Sequence, residues 1–389
     1  MRKILIISNS PLHRDPRVLV QIQALKNDYS IHALGLTDPG IKGIAFTKIG
    51  SNGLPGKAIS WLLRKLRNIL ISFKQYELAS HFSWVEWKAR IFANRIQSDL
   101  ILCNDIDMLP TAAEIKQSHN IPLYLDAHEY TPRQWDGDPE FKKMEGYWDY
   151  IIERDKNNID YMTTVCESIA EKYRNNYNLP VREVVMNLPA GSINLQPSEV
   201  AKDHIRLVHH GGLNRNRQLE NMIHLFDYLD SRFSLDFYLM DDRSGYLQEL
   251  QVLAKKHPQI SFRNPVSTVE ISKEINQYDI GLFPLSPLST NYRYALPNKF
   301  FEFIQARLAI AIWPSVEMKN ILTKYEIGVV TDNFNIKELA DKLNHLTHDE
   351  IFKMKERSDK IASTFQSRAS EQQIKEGVNY CFNRVKSDS

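Results

Sequence analysis

The hydrophobic positions of the chain form short apolar runs separated by amphipathic stretches. Five runs in the first half have the length of buried strands: 3–7, 30–36, 100–103, 123–126 and 161–165. Helical patterns lie between them, as at 17–26, where Val18, Ile22 and Leu25 share one face. This alternation predicts βαβ units around a parallel sheet.

The second half repeats the pattern after a polar stretch at 190–203. Its predicted strands are 205–209, 237–240, 260–262, 280–283, 309–312 and 328–330, and helices are predicted at 219–228, 299–306 and 367–385. A chain of 389 residues exceeds one ordinary core. We therefore predict two α/β domains, 1–195 and 196–366, followed by a terminal helical segment, 367–389.

Composition narrows the class of protein. Hydrophobic content of 43% and charged content of 25% argue against disorder, and a net charge of +2 gives no reason to expect nucleic acid. Cys103, Cys166 and Cys381 lack metal-ligand spacing and are expected to be buried thiols of a reducing compartment. The first apolar run is too short for a signal peptide or a membrane span. These features predict a cytoplasmic protein whose membrane contact, if any, is peripheral.

The segment NYRYALPNKFFEFIQARLAIAIWPS holds the most informative motif. Pro297 is placed where a helix begins, so the amides from Asn298 onward are predicted to be free for an anion. Lys299 adds a positive charge, and Glu302, one turn later, is suited to accept hydrogen bonds from two sugar hydroxyls. The alternative is an ordinary helix start with an acid in its first turn.

This segment resembles the donor-binding motif of the family 4 glycosyltransferases, a retaining family with the GT-B fold, and within it the subgroup with a P-N-K-x-F-E-[FY] signature. Glu302 matches the second of two family glutamates, the one that contacts the nucleotide ribose, and Tyr294 occupies the place of the first. The resemblance implies two Rossmann-like domains facing a cleft, with the last helix crossing back to the N-terminal domain. It also implies that the first domain binds the acceptor and the second binds the nucleotide sugar.

A second motif, LVHHGGLNRNRQLENMIHLF, runs from a strand into two glycines and a basic loop. Gly211 and Gly212 permit close approach of a ligand to the backbone, and Arg215 and Arg217 offer forked donors for a diphosphate. An ordinary β-to-α turn also often carries glycine. By resemblance this is the phosphate-binding loop, with Arg217 in the place of the phosphate-contacting cation and Arg215 as its substitute.

A third motif, PLYLDAHEYTPR, delivers Asp126, His128 and Glu129 from the end of a buried strand. A lone histidine is more often a structural donor than a catalytic group. The resemblance shifts this balance, because family members carry a histidine there that faces the donor sugar. We therefore expect His128 and Glu129 to be the catalytic pair, with His128 positioning the sugar or the leaving group.

The loop after the first strand, SNSPLHRDPRVLV, predicts a helix capped by Asp15 with Pro16 as its first residue. Arg17 then follows with a free side chain. We expect Arg17 to contact the acceptor or the donor phosphates.

The segment SDLILCNDIDMLP places Asp105 and Asp107 at the spacing of a D-x-D metal motif from a different transferase fold. The surrounding pattern does not fit that fold, and Asp107 is expected to cap the next helix. We assign Asp105 to the acceptor or phosphate side and expect no metal site and no cofactor. Lys299, Arg217 and the helix amides would neutralise the leaving diphosphate.

Residues 57–74 form an amphipathic pattern with five cations and no acid before Glu77. Such a helix suits the headgroup layer of an anionic membrane. The alternative is a helix that packs its apolar face on the core. Trp61 and the nearby aromatic residues favour the membrane, as does the need to reach a lipid-linked acceptor.

Together these features predict a retaining transferase that moves a sugar from a nucleotide-diphosphate sugar to a glycan or lipid-linked acceptor. Its setting would be surface polysaccharide assembly at the inner face of the cell membrane. The alternatives are a nucleotide-sugar epimerase, an inverting transferase on the same fold, and a catalytically silent subunit that activates a partner transferase. A dehydrogenase is disfavoured because SNSPLH stands where a G-x-G-x-x-G turn would be.

Overall fold

The structure, a computed structural model, describes residues 1–51, 53–191 and 194–387. The predicted linker and the predicted terminal segment include residues 192–193 and 388–389, which lie outside the described residues. Contacts between Cα atoms divide the chain into two compact units. Unit 1 consists of Met1–Asn187, Ser289–Asn291 and Ser370–Ser389, and unit 2 of Leu188–Leu288 and Tyr292–Ala369.

Unit 1 is built on a seven-stranded parallel sheet in the order β3-β2-β1-β4-β5-β6-β7. The strands are β1 (Lys3–Ile7), β2 (Ser30–Gly35), β3 (Ala45–Lys48), β4 (Leu100–Asn104), β5 (Leu123–Ala127), β6 (Tyr161–Thr164) and β7 (Val181–Val184). The helices are α1 (Pro16–Leu25), α2 (Gly53–Ser72), α3 (Tyr76–Ala79), α4 (Trp84–Ala93), α5 (Leu109–His119), α6 (Pro139–Lys142), α7 (Glu145–Asp155) and α8 (Glu167–Tyr177). Strands β4, β5 and β6 are buried along their whole length, as parallel strands covered on both faces are.

Unit 2 has a six-stranded parallel sheet in the order β10-β9-β8-β11-β12-β13. The strands are β8 (Ile205–Gly212), β9 (Phe233–Met240), β10 (Ile260–Arg263), β11 (Ile280–Phe283), β12 (Ala309–Ile312) and β13 (Gly328–Val330). The helices are α9 (Glu220–His224), α10 (Tyr246–Ala254), α11 (Ile271–Ile275), α12 (Thr290–Arg293), α13 (Asn298–Gln305), α14 (Val316–Tyr325), α15 (Ile336–Asn344) and α16 (His348–Ala362). Short helix α12 contributes its first two residues to unit 1.

The last helix, α17 (Ser367–Ser387), packs most of its length on unit 1. Ile374, Val378 and Cys381 are buried in the same hydrophobic cluster as Val18 and Ile22 of α1. Cys103, Cys166 and Cys381 are buried thiols, and no disulfide forms among the described residues. Among the described residues, no helix is both long enough and apolar enough to cross a membrane.

The predicted alternation of strands and helices is confirmed, with two kinds of difference. Strand β9 begins four residues before the predicted run because its first half alternates buried and half-buried positions, as at Phe233 and Ser234. Strands β3 and β7 were not predicted. Both lie at an edge of their sheet and bury few side chains, so they lack a continuous apolar signal.

Replacing Gly377 of α17 by alanine tests how closely this helix approaches the sheet. A glycine-to-alanine change inside a helix normally stabilises a protein by about 0.5–1 kcal/mol. Here an added Cβ would lie 2.7 Å from Cε1 of Tyr161 and 2.8 Å from Cε1 of Tyr124. We expect Gly377→Ala to lower the free energy of unfolding by about 1–3 kcal/mol in urea denaturation. The exposed neighbour Glu376→Ala is the control and should change it by less than about 0.5 kcal/mol.

Candidate functional site

The strand order of each sheet marks where ligands are expected. In an open parallel sheet, ligands bind beyond the carboxyl ends of the strands, at the point where the strand order reverses. That point lies between β1 and β4 in unit 1 and between β8 and β11 in unit 2. The predicted site residues follow these strands or their neighbours, so each unit has its own candidate cluster.

In unit 1 the cluster is organised by a buried ion pair between Arg17 and Asp126. The two side chains are 3% and 1% exposed, and Nε of Arg17 donates to Oδ2 of Asp126 at 2.6 Å while Nη2 donates to Oδ1. Nη1 donates to the carbonyl of Val185 and, at 3.2 Å, to Oδ1 of Asn187. Burial alone would raise the pKa of Asp126, but the charge of Arg17 and the hydrogen bonds of His128 and Arg17 lower it well below its ordinary value. Arg17 was expected to contact the acceptor or the phosphates, but its guanidinium donates its hydrogen bonds to other residues of unit 1.

His128 lies beside this pair and is 16% exposed. Its Nδ1 is 3.3 Å from Oδ2 of Asp105, and its Nε2 is 3.0 Å from Oδ1 of Asn104. The backbone N–H of His128 donates to Oδ1 of Asp105 at 2.8 Å. Burial would lower the pKa of His128, but the charge of Asp105 together with the hydrogen bond and charge of Asp126 outweighs burial, and the pKa is raised. Asp105 therefore lies against His128, with its side chain 36% exposed.

Glu129, the residue predicted to act with His128, is exposed and has different partners. Oε2 of Glu129 accepts hydrogen bonds from the side chains of Gln134 and, at 3.0 Å, Asn291. Oδ1 of Asn291 in turn accepts from the backbone N–H of Tyr130 at 2.9 Å. Glu129 is thus part of the hydrogen bonding that holds the loop after β5 against residues 289–291.

The two aspartates of the N-D-x-D segment diverge. Asp107 accepts a hydrogen bond from Nδ2 of Asn9 at 2.7 Å, and burial together with the charge of Asp105 raises its pKa to about 6. The predicted helix-cap role of Asp107 is wrong, because α5 begins after Met108 and its first turn has no side-chain cap. The predicted cap at Asp15 is confirmed, since its carboxylate accepts from the N–H of Val18 at 3.2 Å.

In unit 2 the cluster centres on Lys299, which is 5% exposed in the first turn of α13. Its ammonium group lies against Gly211, where an added Cβ would come within 3.2 Å of Nζ. Gly211 also has a φ of 123°, a left-handed value that favours glycine. The end of β8 therefore needs glycine both for its backbone conformation and for room beside the lysine.

His209 fixes the position of Lys299. Nδ1 of His209 lies 2.8 Å from the carbonyl oxygen of Leu282, which only accepts, so this nitrogen carries the proton. Its Nε2 is then free to accept from Nζ of Lys299 at 3.1 Å. The same ammonium lies 4.5 Å from the ring centroid of Phe283. Burial and the nearby charge of Arg217 lower the pKa of Lys299 well below its ordinary value.

Glu302 lies one turn further along α13 and is 7% exposed. Its Oε2 is 3.4 Å from Nε2 of His210. Burial raises the pKa of Glu302 to about 7, while burial and Lys299 lower the pKa of His210 to about 3. The histidine is therefore neutral, and its buried Nε2 makes no hydrogen bond within the described residues. Among the described residues, Glu302 makes no ion pair with a lysine or arginine, although the charge of Lys299 partly opposes the rise of its pKa.

The arginines of the glycine loop differ. Arg215 makes a two-pronged ion pair with Glu249, at 2.7 and 2.6 Å, and lies over the ring of Tyr246. Within the part of the chain that the structure describes, the guanidinium of Arg217 donates only to the carbonyl of Gly212, at 3.4 Å. Of the two, Arg217 has the less engaged guanidinium, and Gly212 ends β8 beside it.

The remaining predicted residues frame the start of α13. Pro297 is its N-cap residue and Asn298 its first helical residue, while Tyr294 lies in the turn between α12 and α13. The roles of His209 and His210 were not predicted, although both residues directly precede the two glycines of the motif LVHHGG. No group of three or more His, Cys, Asp or Glu side chains suited to a metal ion occurs in the described ranges.

No family model and no curated protein matches this chain. Solved structures do match. Anabaena Alr3699/HepE in complex with UDP-glucose is 14% identical with a TM-score of 0.69, covering 97% of this chain and 100% of that one. Sucrose-phosphate synthase from Thermosynechococcus elongatus is 12% identical, TM-score 0.68, with full coverage of both chains. WaaG is 10% identical, TM-score 0.65, covering 95% and 99%. These likenesses confirm the predicted GT-B fold class.

Removing the charge of Arg17 tests the buried pair. Arg17→Met would leave Asp126 buried without its cation, which costs about 3–5 kcal/mol. We expect that loss in urea denaturation at pH 7, and a smaller loss at a pH low enough to protonate Asp126, because its lowered pKa stabilises the fold only above that pKa.

The control is Lys375→Met, which breaks the surface pair with Asp28 in the same unit. Surface pairs contribute about 0–1 kcal/mol, so little change is expected. Equal losses for the two variants would contradict the assigned importance of the buried pair.

Proposed function

We propose that this chain is a retaining glycosyltransferase that uses a nucleotide-diphosphate sugar as donor and a glycan or lipid-linked saccharide as acceptor. Unit 2 binds the donor and unit 1 binds the acceptor. The proposal joins the sequence resemblance at P-N-K-x-F-E-[FY] to the GT-B fold and to the charges of the two clusters.

The observation that carries the proposal is the buried amino group of Lys299. Its Nζ contacts a histidine nitrogen and an aromatic face, and no ion pair with a carboxylate is present among the described residues. A buried ammonium without an anion is costly, and a bound phosphate would relieve that cost. Lys299 stands in the first turn of α13, and the first amides of a helix favour an anion.

Glu302 supports a nucleotide rather than a simple phosphate. A carboxylate with a pKa of about 7 and no cation in contact is suited to accept hydrogen bonds from two ribose hydroxyls, as the family resemblance implies. We assign the diphosphate to Lys299, Arg217 and the backbone at Gly211. No metal or cofactor enters the proposal, because these cations suffice to oppose the charge of the leaving diphosphate.

We assign the transfer step to the unit 1 cluster, with His128 as the group that serves the donor sugar or the leaving group. Glu129 has a lesser part, since its carboxylate is engaged by two amide groups. Arg17 is buried, and its part is to hold Asp126 in place through their ion pair. Asp105, beside His128, acts through that histidine.

Two neighbours guide the choice of donor and setting. HepE was solved with UDP-glucose, and WaaG is involved in lipopolysaccharide biosynthesis. We therefore propose UDP as the nucleotide to test first, and assembly of a surface polysaccharide in the cytoplasm as the setting.

We further propose that α2 docks unit 1 on the inner face of the cell membrane. The apolar stripe of α2 and the residue just after it faces solvent rather than the core: Ile59, Leu62, Leu66, Ile69 and Phe73 are 44%, 52%, 38%, 53% and 73% exposed. Lys57, Arg64 and Lys65 of the same helix are also exposed. An exposed stripe of this kind flanked by cations suits an anionic bilayer surface.

A silent partner subunit is the second candidate. It is favoured by Tyr294, which stands where the family carries its first glutamate. Donor binding without any turnover, together with activation of a separate transferase, would support it.

Calorimetric titration with UDP, GDP, CDP and ADP tests the donor site. We expect micromolar binding of one nucleotide, unchanged by EDTA. Glu302→Gln and Arg217→Ala should each weaken it about tenfold to hundredfold, since a hydrogen bond to a charged group contributes about 1.5–3 kcal/mol. Arg215→Ala should have a smaller effect because Glu249 holds that side chain.

Lys256→Ala, which breaks a surface pair with Asp227, controls for loss of charge in unit 2. Absence of binding to all four nucleotides would refute the donor site. Binding that survives both Glu302→Gln and Arg217→Ala would refute the residue assignment alone.

Sedimentation with lipid vesicles tests the membrane face. We expect binding to vesicles containing phosphatidylglycerol and much weaker binding to pure phosphatidylcholine. The double change Leu62→Ser/Leu66→Ser should lower the partition constant by about tenfold or more, because it removes two leucines from the face of α2 that would enter the membrane. Arg64→Glu/Lys65→Glu should remove the preference for the anionic lipid.

The matched control is Val269→Ser, which changes an 87% exposed apolar residue of unit 2. Loss of vesicle binding in that variant, or full binding in the leucine double variant, would contradict the role of α2.

A further inference from the structure

A chain of buried hydrogen bonds leads from the Arg17–Asp126 pair to His128 through two amide side chains, Gln21 and Asn104. Both amides are buried, at 1% and 0% exposure. Neither was singled out in the sequence. Their orientations are determined in turn, starting from the carboxylate, and they decide where the protons of His128 lie.

Asp126 sets the first orientation. Its pairing with Arg17 keeps it ionised, so its oxygens only accept. Oδ1 accepts from the hydroxyl of Thr163 at 2.6 Å, and Oδ2 accepts from Gln21 at 2.6 Å. The group of Gln21 that faces Asp126 must therefore be the amide nitrogen, which leaves its oxygen facing Asn104.

Gln21 then sets Asn104. Oε1 of Gln21 accepts from Nδ2 of Asn104 at 3.0 Å, and that nitrogen also lies 3.5 Å from the carbonyl of Ile7. The other amide atom of Asn104, which faces His128, is therefore the oxygen Oδ1. It accepts from Nε2 of Gln21 at 2.8 Å and faces Nε2 of His128 at 3.0 Å. Because Oδ1 only accepts, Nε2 of His128 carries a proton.

Asp105 acts on the other ring nitrogen. Its carboxylate is 3.3 Å from Nδ1 of His128 and is fixed by the backbone N–H of the same residue. Asp105 has φ 64° and ψ 159°, a backbone conformation nearly confined to glycine, and its own N–H donates to the carbonyl of Asp126 at 2.9 Å. This conformation places the carboxylate beside Nδ1, where its charge favours a proton on that nitrogen.

We infer that His128 is held as an imidazolium, with Gln21, Asn104 and Asp105 as positioning residues that keep both of its nitrogens protonated. His128 then serves as a fixed positive charge and hydrogen-bond donor, and it does not act as a general base. The catalytic part of this inference rests on the proposed function. The charged groups facing the ring are Asp105 after β4, Asp107 in the following turn, Asp126 and Glu129 from β5 and its loop, and Arg17 from α1.

Selective ¹⁵N labelling of histidine tests the protonation state without any need for activity. The signal of His128 among the 12 histidines is assigned by its loss in His128→Asn. We expect both ring nitrogens to be protonated at pH 6.5 and the pKa to lie above 6.5. A single-proton tautomer at that pH, or a pKa below 6.5, would overturn the inference.

Variants separate positioning from general stability. Asp105→Asn should lower the pKa of His128 by about one unit or more. Asp107→Asn removes a similar charge that is not in contact with the ring and should shift it less; an equal shift would overturn the role of Asp105. Asn104→Leu should lower this pKa and Asn104→Asp should raise it. If the two Asn104 variants shift the pKa in the same direction, the role assigned to Asn104 is overturned. If either of these buried variants fails to fold, Asp105→Asn still tests the protonation state of His128.

A second arm measures UDP release from the accepted donor as a function of pH. Activity should fall as the pH rises through the pKa of His128 measured by NMR, and the fall should move to lower pH in Asp105→Asn by the same interval as the NMR shift. Activity that rises with pH through this range would indicate that His128 acts as a general base, and it would overturn the inference that His128 does not. A wild-type protein without activity would count against the proposed function, while the NMR titration would still decide the protonation state.

Discussion

The buried ion pair between Arg17 and Asp126 is the interaction on which the carboxyl edge of the unit 1 sheet depends. Taking both charges out of water is costly, and attraction offsets the cost only when every remaining hydrogen-bonding position is filled. Here the partners come from α1, from β6 through Thr163, and from the chain just beyond β7 through Val185 and Asn187. The pair therefore fixes elements far apart in the sequence. The two amides that complete it carry its influence to His128, so a requirement of stability also determines the chemistry of the candidate catalytic residue.

Unit 2 shows the opposite condition. Its buried cation, Lys299, has a neutral histidine and an aromatic ring as neighbours, and its buried carboxyl, Glu302, has another neutral histidine. Burial lowers the pKa of the lysine and raises that of the glutamate, so the surroundings disfavour each charge. A ligand that brought both an anion and hydroxyl donors would reverse both effects at once. The buried pair of Arg17 and Asp126 thus has its ionic partner within unit 1, whereas Lys299 and Glu302 are suited to gain theirs from a ligand.

How much of the structure could be predicted depends on how far apart in the sequence the interacting residues lie. Central strands were predicted closely because parallel strands buried on both faces are continuous apolar runs, whereas the edge strands β3 and β7 lack that signal. The motif at 297–302 predicted a helix start with a lysine and a glutamate because capping is local. The partner of Arg17 was not predicted, since Asp126 lies 109 residues away and only the fold brings them together. Gln21 and Asn104 lie inside an amphipathic helix and a strand, where a neutral amide gives no spacing signal.

The segment N-D-I-D shows how backbone direction decides the meaning of a sequence spacing. In a regular extended backbone, two aspartates separated by one residue would point to the same side of the chain. The positive φ of Asp105 instead sends its carboxylate to His128, while Asp107 accepts from Asn9. Separation does not remove their mutual repulsion, and the pKa of Asp107 is raised to about 6 partly by Asp105. Burial raises the pKa of Asp105, and the charge and the backbone N–H of His128 oppose that rise. The strain at Asp105 therefore serves the charge state of the histidine beside it.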